Sequence, residues 1–295
     1  MFAELSELLG DSAERPQQGL LTLLVASKTD ASFLVHHFLS FYLKAGCKVC
    51  FLALLQSFSH YNIVAQKLGL GLTTAKERGQ LVFLEGLKAS NEVLFSKQRE
   101  LAEPHPFQFI SGDGSNLKAL YDFVQTALTP DLGRDSWKCP VLIVDDLSVL
   151  LSLGVKPTDV LDFVHYCRVT VNSLLKGNMV LTVRSSNDSE DEENELLAKA
   201  LHHQSNLILR AEGLATGFCR DVHMAVDNCP SQPRGGKSGA GTPASLPVQN
   251  PGQERHLFCQ GDVCSCAVKG RGGKVRTLAK EPGGDGEQGV AEETG

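Results

Sequence analysis

The chain lacks an apolar stretch of about 18 residues free of polar or charged breaks, which excludes a predicted transmembrane helix. It lacks a basic excess. Its formal net charge is −6, with 28 Lys and Arg against 34 Asp and Glu, which argues against a free-standing nucleic-acid binder. The acidity sits in residues 1–227, which carry −7, whereas residues 228–295 carry +1. Met1–Leu5 lacks the basic-then-apolar pattern of a signal peptide. The nine cysteines are scattered and odd in number, so the expectation is reduced thiols in a cytoplasmic or nuclear protein with no membrane partner. The most informative absence is local. The loop Ser27-Lys28-Thr29-Asp30-Ala31-Ser32 contains no glycine.

That loop matters because of what surrounds it. Leu20–Ala26 and Lys48–Leu55 read as buried strands, followed by Leu81–Glu85, Val141–Asp145, Met179–Arg184 and Leu207–Ala211. Helical spacings occupy Ala31–Ala45, Ser59–Leu68, Leu117–Ala127, Val160–Leu175 and Glu192–Leu201. Asp30 is the expected N-cap of the first helix and Gly46 its C′ residue; Gly69 and Gly177 are expected to close two others. Repeated β–α units predict a mostly parallel sheet covered by helices on both faces.

Val141–Val144 ends in two acids, Asp145 and Asp146. This is the Walker B pattern of a P-loop ATPase, in which a strand carries an acid to the sheet edge. A P-loop needs glycines so that successive backbone N–H groups curl around phosphate, with a lysine adding charge. Here Lys28-Thr29 has no glycines before it, and Asp30 puts a negative charge where phosphate would sit. The reading is a strand-to-helix turn and a degenerate nucleotide site, with no cofactor and no metal. Without a phosphate to work with, Asp145 and Asp146 are expected to cap the next segment or to bind neighbouring loops. The competing reading is an NTPase with an unorthodox nucleotide site.

Other motifs resolve to blander readings. Arg234-Gly235-Gly236-Lys237-Ser238 contains Gly-Lys-Ser but follows Pro230 and Pro233 rather than a strand. Cys47-Lys48-Val49-Cys50 enters a buried strand, where alternation sends the two thiols to opposite faces. Cys259, Cys264 and Cys266 leave structural zinc a minor reading. His36-His37 and His202-His203 are neighbours about 100° apart on helices and form no joint ligand set. Asp188–Glu195 is acidic and reads as a solvated loop and helix N-terminus. Residues 228–295 hold 14 of the 28 glycines and 6 of the 12 prolines, with no sustained strand or helix pattern, and are expected to be a mostly disordered tail.

Several long runs resemble one family. Leu34–Lys44, Gln56–Tyr61, Val144–Gly154 and Leu209–His223 are similar to the sixth subunit of the Elongator complex, over residues 1 to about 223. The resemblance implies a RecA-like domain over residues 1–227. It also implies a six-membered ring with the fourth and fifth Elongator subunits, two copies of each. That ring serves the larger Elongator complex, which modifies the wobble uridine of certain tRNAs at carbon 5, with tRNA met through the ring. RecA-like ATPases often carry a catalytic carboxylate after the second strand. The matching position here is Gln56, which is no base at neutral pH. The expected role is therefore a non-catalytic scaffold. After His223 the resemblance stops, which implies an alternative C-terminus and an open sheet edge after Leu207–Ala211.

Overall fold

The computed structural model describes residues 18–27, 29–95, 105–111, 116–130, 137–185, 191–213, 224–228, 255–260, 263–269 and 275–277. Lys28 and the Arg234–Ser238 motif lie outside the described residues.

Six parallel strands make the body of the sheet: β1 Leu21–Ser27, β2 Lys48–Ala53, β3 Leu81–Glu85, β4 Pro140–Val144, β5 Asn178–Ser185 and β6 Leu207–Gly213. They lie in the order β3-β2-β4-β5-β1-β6. β3 lies at the edge, and β1, β4 and β5 are buried over nearly their whole length, as their continuous apolar runs require. Alternate residues feed two cores. Leu21, Leu23, Val25, Leu142, Val144 and Leu181 face one layer, while Leu24, Ala26, Val141, Ile143, Val180 and Leu209 face the other. Cys50 belongs to the first face and Cys47 to the second, as alternation predicts for the CxxC.

The helices divide accordingly. Against the second face pack α1 Ser32–Lys44, α2 Phe58–Lys67 and α3 Leu72–Glu77. Ala89 of α4 Gly86–Phe95 joins the first core, together with α5 Lys118–Leu128, α6 Ser148–Ser152, α7 Pro157–Arg168 and α8 Glu192–His202. The fold is RecA-like: a mostly parallel sheet with helices on both faces.

Local chemistry explains most boundaries. At the end of α1, Gly46 takes φ +79°, its N–H bonds to the Leu43 carbonyl, and the Cys47 N–H reaches back to the Tyr42 carbonyl. This is a Schellman close, with glycine in the left-handed position. At the start of α1 the cap lies elsewhere than expected. Ala31 is the N-cap, and Asp30 stands one residue before it. Its carboxylate accepts from the Ser32 N–H at 2.8 Å and the Ser32 hydroxyl at 2.7 Å, a local turn that orders the entry to the helix.

Gly177 also has a different task. Helix α7 passes into a π-helical segment, Val169–Leu174, so the predicted single helix Val160–Leu175 changes its winding in its last third. The left-handed residue after it is Lys176, at φ 53°. Gly177 is needed for closeness: a Cβ there would stand 2.2 Å from the Pro140 carbonyl oxygen. Glycine lets the entry to β5 lie against the entry to β4.

The expected open edge at β6 is paired. Leu209–Gly213 bonds antiparallel to β7 Met224–Asn228, and β8 Arg255–Gln260, β9 Val263–Lys269 and β10 Val275–Thr277 continue the sheet antiparallel. Within 228–295 these are strand stretches where no sustained strand was expected. The rest of that segment lies outside the described residues.

Candidate functional site

A RecA-like sheet presents its ligand site where the strands end, at their carboxyl edge. β1 ends at Ser27, 6% exposed, and the chain turns through half-buried Thr29 and exposed Asp30 into α1. β2 ends at Ala53 and leads through Leu54, Leu55 and exposed Gln56 to Ser57, whose hydroxyl caps α2 by accepting from the His60 N–H. β4, paired with β2 on one side and β5 on the other, ends at Val144 and places Asp145 and Asp146 at the same edge.

Asp145 is 2% exposed, and both its oxygens are engaged. Its Oδ1 accepts from the Leu54 N–H at 2.7 Å. Its Oδ2 accepts from the Leu55 N–H at 3.1 Å and the Tyr61 hydroxyl at 2.8 Å. A carboxylate has about four acceptor positions, and three are filled by protein donors. Burial raises the Asp145 pKa to about 6, against the pull of the Leu54 and Leu55 N–H groups and Tyr61, with the Asp146 charge raising it further. Burial also pushes the Tyr61 hydroxyl far up, helped by the Asp145 charge, so it remains a donor. The acid that a Walker B strand would turn toward a hydrated cation here clamps the β2–α2 turn to the end of β4.

Asp146, 1% exposed, faces the other way. Its Oδ1 accepts from the Ser148 N–H at 2.9 Å, opening α6, and its Oδ2 meets the Arg184 Nε at 2.7 Å. The Ser148 hydroxyl accepts from the Arg184 N–H at 2.9 Å, closing a knot between β4 and β5. Burial raises the Asp146 pKa, opposed by the Arg184 guanidinium.

Sequence reasoning found both acids but not their partners. Tyr61 lies 84 positions from Asp145, and the Leu54 and Leu55 amides about as far. The available signal was a tyrosine in the first turn after β2 and an arginine at the end of β5. Of the adjacent pair His36-His37, His36 reaches this edge. His36 is 6% exposed, with its ring 4.9 Å from that of Tyr61 and 5.7 Å from that of His60. Burial, then the His60 charge, lowers the His36 pKa to about 4, and burial lowers His37 likewise to about 4. Asp30 acts on both His36 and Tyr61 through its charge, so the β1–α1 turn lies close to this cluster. Gln56 stays exposed beside it.

Across the sheet, Cys47 and Cys139 bring their sulfurs to 3.1 Å, both buried, with Cys50 and Cys167 also buried as free thiols. Among the described residues no three His, Cys, Asp or Glu side chains gather as a metal site, and no helix is long and apolar enough to cross a membrane.

The comparisons with known proteins agree on one family. The family model described as Elongation complex protein 6 matches residues 2–242, past His223, where the resemblance read from the residues stops. Elongator complex protein 6 of Homo sapiens is 63% identical over 238 residues, spanning 79% of this chain and 88% of that one. The Xenopus laevis protein of the same name is 57% identical over 243 residues, spanning 82% and 91%. A solved structure of an uncharacterized protein from Pyrococcus horikoshii, in complex with an unknown peptide, has a TM-score of 0.52 at 12% identity, covering 91% of this chain and 98% of that one. At that identity the likeness is one of fold alone. The chain belongs to the Elongator complex protein 6 family, the sixth subunits of the Elongator complex.

Proposed function

We propose that the chain is a non-catalytic scaffold subunit of Elongator, a RecA-like fold kept for assembly with its hydrolytic parts absent. The observation that carries the reading is Asp145, whose two oxygens accept from Leu54, Leu55 and Tyr61 at 2.7–3.1 Å in a site 2% exposed. A catalytic Walker B acid needs a free face toward the metal-bound water. Here that face is spent on two backbone N–H groups and the Tyr61 hydroxyl. Gln56 at the base position and Asp30 in the first turn support the same reading.

In this role the chain packs beside the fourth and fifth Elongator subunits in a six-membered ring. It thereby supports the wobble-uridine modification of tRNA in the cytoplasm or nucleus. With its own charge at −6, its part in tRNA contact is shared with those partners. The test is co-expression of the full chain with the two partner subunits, followed by sizing and an ATP turnover assay on the complex. A six-membered assembly whose turnover is unchanged by Asp145→Asn is the expected result. Turnover abolished by Asp145→Asn in an intact ring overturns the scaffold reading.

A further inference from the structure

At the sheet edge opposite the clamp, the amino ends of β2 and β4 bring a pair of thiols together. Lys48 and Pro140 are register partners, so one step earlier Cys47 and Cys139 stand side by side on adjacent strands. Their main chains are held on both sides. The Lys48 N–H donates to the Cys139 carbonyl and the Lys138 N–H to the Gly46 carbonyl, each at 3.0 Å. The Gln80 side-chain amide donates to the Cys47 carbonyl at 3.1 Å. Neighbouring strands lie about 4.7–4.9 Å apart, inside the span of about 4.4–6.8 Å that disulfides take between Cα atoms. Both side chains enter the same core, and the two sulfurs stand 3.1 Å apart. An S–S bond of about 2.05 Å needs an approach of about 1 Å, which the side chains supply while the strands stay paired.

A buried cysteine is ordinarily a small apolar filler, and Cys50 and Cys167 fit that description. Both are fully buried, and burial pushes the Cys50 thiol up to about 12 and the Cys167 thiol well up. Cys47 and Cys139 differ because they bond to each other. That bond, then burial, pushes the Cys47 thiol far up. The same bond draws the Cys139 thiol down, with burial opposing and the Lys138 charge helping. Cys47 is therefore the donor, and Cys139 is the sulfur that sheds its proton first and acts as the nucleophile. Cys139 is also the more open of the two, at 4% exposed against 0%, and it follows exposed Lys138. So narrow an opening suits a small oxidant such as a peroxide better than a bulky disulfide.

We propose that Cys47 and Cys139 are a redox-sensitive pair that a peroxide converts to a disulfide bracing β2 to β4. The Cys139 thiolate attacks one oxygen of hydrogen peroxide, the O–O bond breaks, hydroxide leaves and Cys139 becomes a sulfenic acid. The Cys47 sulfur then attacks the Cys139 sulfur, the S–O bond breaks, and the Cys47 proton leaves with the hydroxyl as water. The proton first shed by Cys139 joins the hydroxide as the second water, and two electrons have passed from the thiols to the peroxide. A dithiol reductant reverses the bond by exchange. Asp145 already ties the two strands at their carboxyl ends, so the oxidised chain has them fixed at both ends. The bond joins residues 92 positions apart, which restricts the unfolded chain and makes the oxidised form the more stable. The pair lies at the opposite edge of the sheet from the Asp145 cluster, so the inference stands apart from the scaffold reading.

The experiment exposes the full folded chain to hydrogen peroxide, caps remaining thiols with N-ethylmaleimide in denaturant, and maps the peptides by mass spectrometry. The expected result is a linked Cys47–Cys139 peptide pair, with Cys50 and Cys167 recovered capped. The oxidised chain melts roughly 5 °C or more above the same chain re-reduced with dithiothreitol. Cys47→Ala removes the thiol that closes the bond, so Cys139 accumulates as a sulfenic acid trapped by dimedone, and peroxide no longer raises the melt. Recovery of Cys47 and Cys139 both capped after peroxide treatment of the wild-type chain overturns the proposal. So does Cys139 linked to any other cysteine, or an oxidised chain that melts no higher than the re-reduced one.

Discussion

The Tyr61 hydroxyl donates to Asp145 Oδ2 at 2.8 Å, joining the first turn of the helix after β2 to the end of β4. Both groups are buried, at 1% and 2% exposure, so the bond replaces no ready alternative with water. Tyr61→Phe keeps the ring contacts with Phe51 and His36 and deletes only this donor. The expected cost is about 1–2 kcal/mol, a fall of roughly 2–8 °C in the melting temperature. A melt unchanged within 1 °C, roughly the scatter expected of a surface substitution, would show the clamp to be energetically idle.

Asp145 ties stability to pH in an uncommon direction. Its pKa stands near 3.8 unfolded and at about 6 folded, so the folded chain holds a proton where the unfolded chain has released it. The contribution is present below pH 4 and is lost as pH rises through 6, by up to about 3 kcal/mol. Asp145→Asn removes this dependence. The stability difference between wild type and Asp145→Asn, followed by urea denaturation at stepped pH, should shrink or reverse between pH 4 and 6. A difference independent of pH would refute the upward shift.

His36 and His37 work with the opposite sign. Each falls from 6.5 to about 4 on burial, so the folded chain keeps them neutral where the unfolded chain is protonated. Stability from these groups is present above pH 6.5 and is lost as pH falls through 4, by about 3 kcal/mol each at most. The two histidines together outweigh Asp145, so the net expectation is acid destabilisation. With Asp145 offsetting about one histidine, His37→Gln should remove most of the acid limb of the stability curve. Retention of the full acid limb in that variant would place its origin elsewhere.

Two adjacent positions at the entry to β5 should respond in opposite ways. Gly177→Ala drives a Cβ to within 2.2 Å of the Pro140 carbonyl oxygen, and both strands must move apart. The expected loss is at least about 2 kcal/mol. Lys176→Gly relieves a left-handed φ of 53° and should be neutral or stabilising by up to about 1 kcal/mol. Paired thermal melts decide it; equal effects at the two sites would show that the close approach is not what the glycine serves.

The sequence carried the layer structure well because it is written in short-range pattern. Leu81–Glu85 matched its strand to the residue, and the other five parallel strands fell within about two residues at each end, since each is a compact apolar run. What escaped was short or depended on distant neighbours. Leu72–Glu77 and Ser148–Ser152 span too few residues to show a helical period. Gly86–Phe95 was not read as a helix; its first residue is glycine because a side chain there would meet Leu54 at 2.9 Å and the Ala53 carbonyl at 3.0 Å. The π-helical turn after Arg168 leaves the apolar spacing nearly unchanged, so the pattern could not reveal it. At the site, Asp145 was legible as an acid at a strand end. Its binding to a neighbouring loop was expected; which donors fill it was not legible, because they are backbone N–H groups and one tyrosine from another unit of the chain.

The central claim is that this acid is a strut and not a metal-facing catalytic group. Calorimetric titration of the full chain with ATP and Mg²⁺, beside the Asp145→Asn and Lys28→Ala variants, tests it most directly. The account predicts no submillimolar binding by any of the three, with Asp145→Asn altering only the melt. Submillimolar ATP affinity in the wild-type chain, lost in either variant while that variant remains folded, would contradict it.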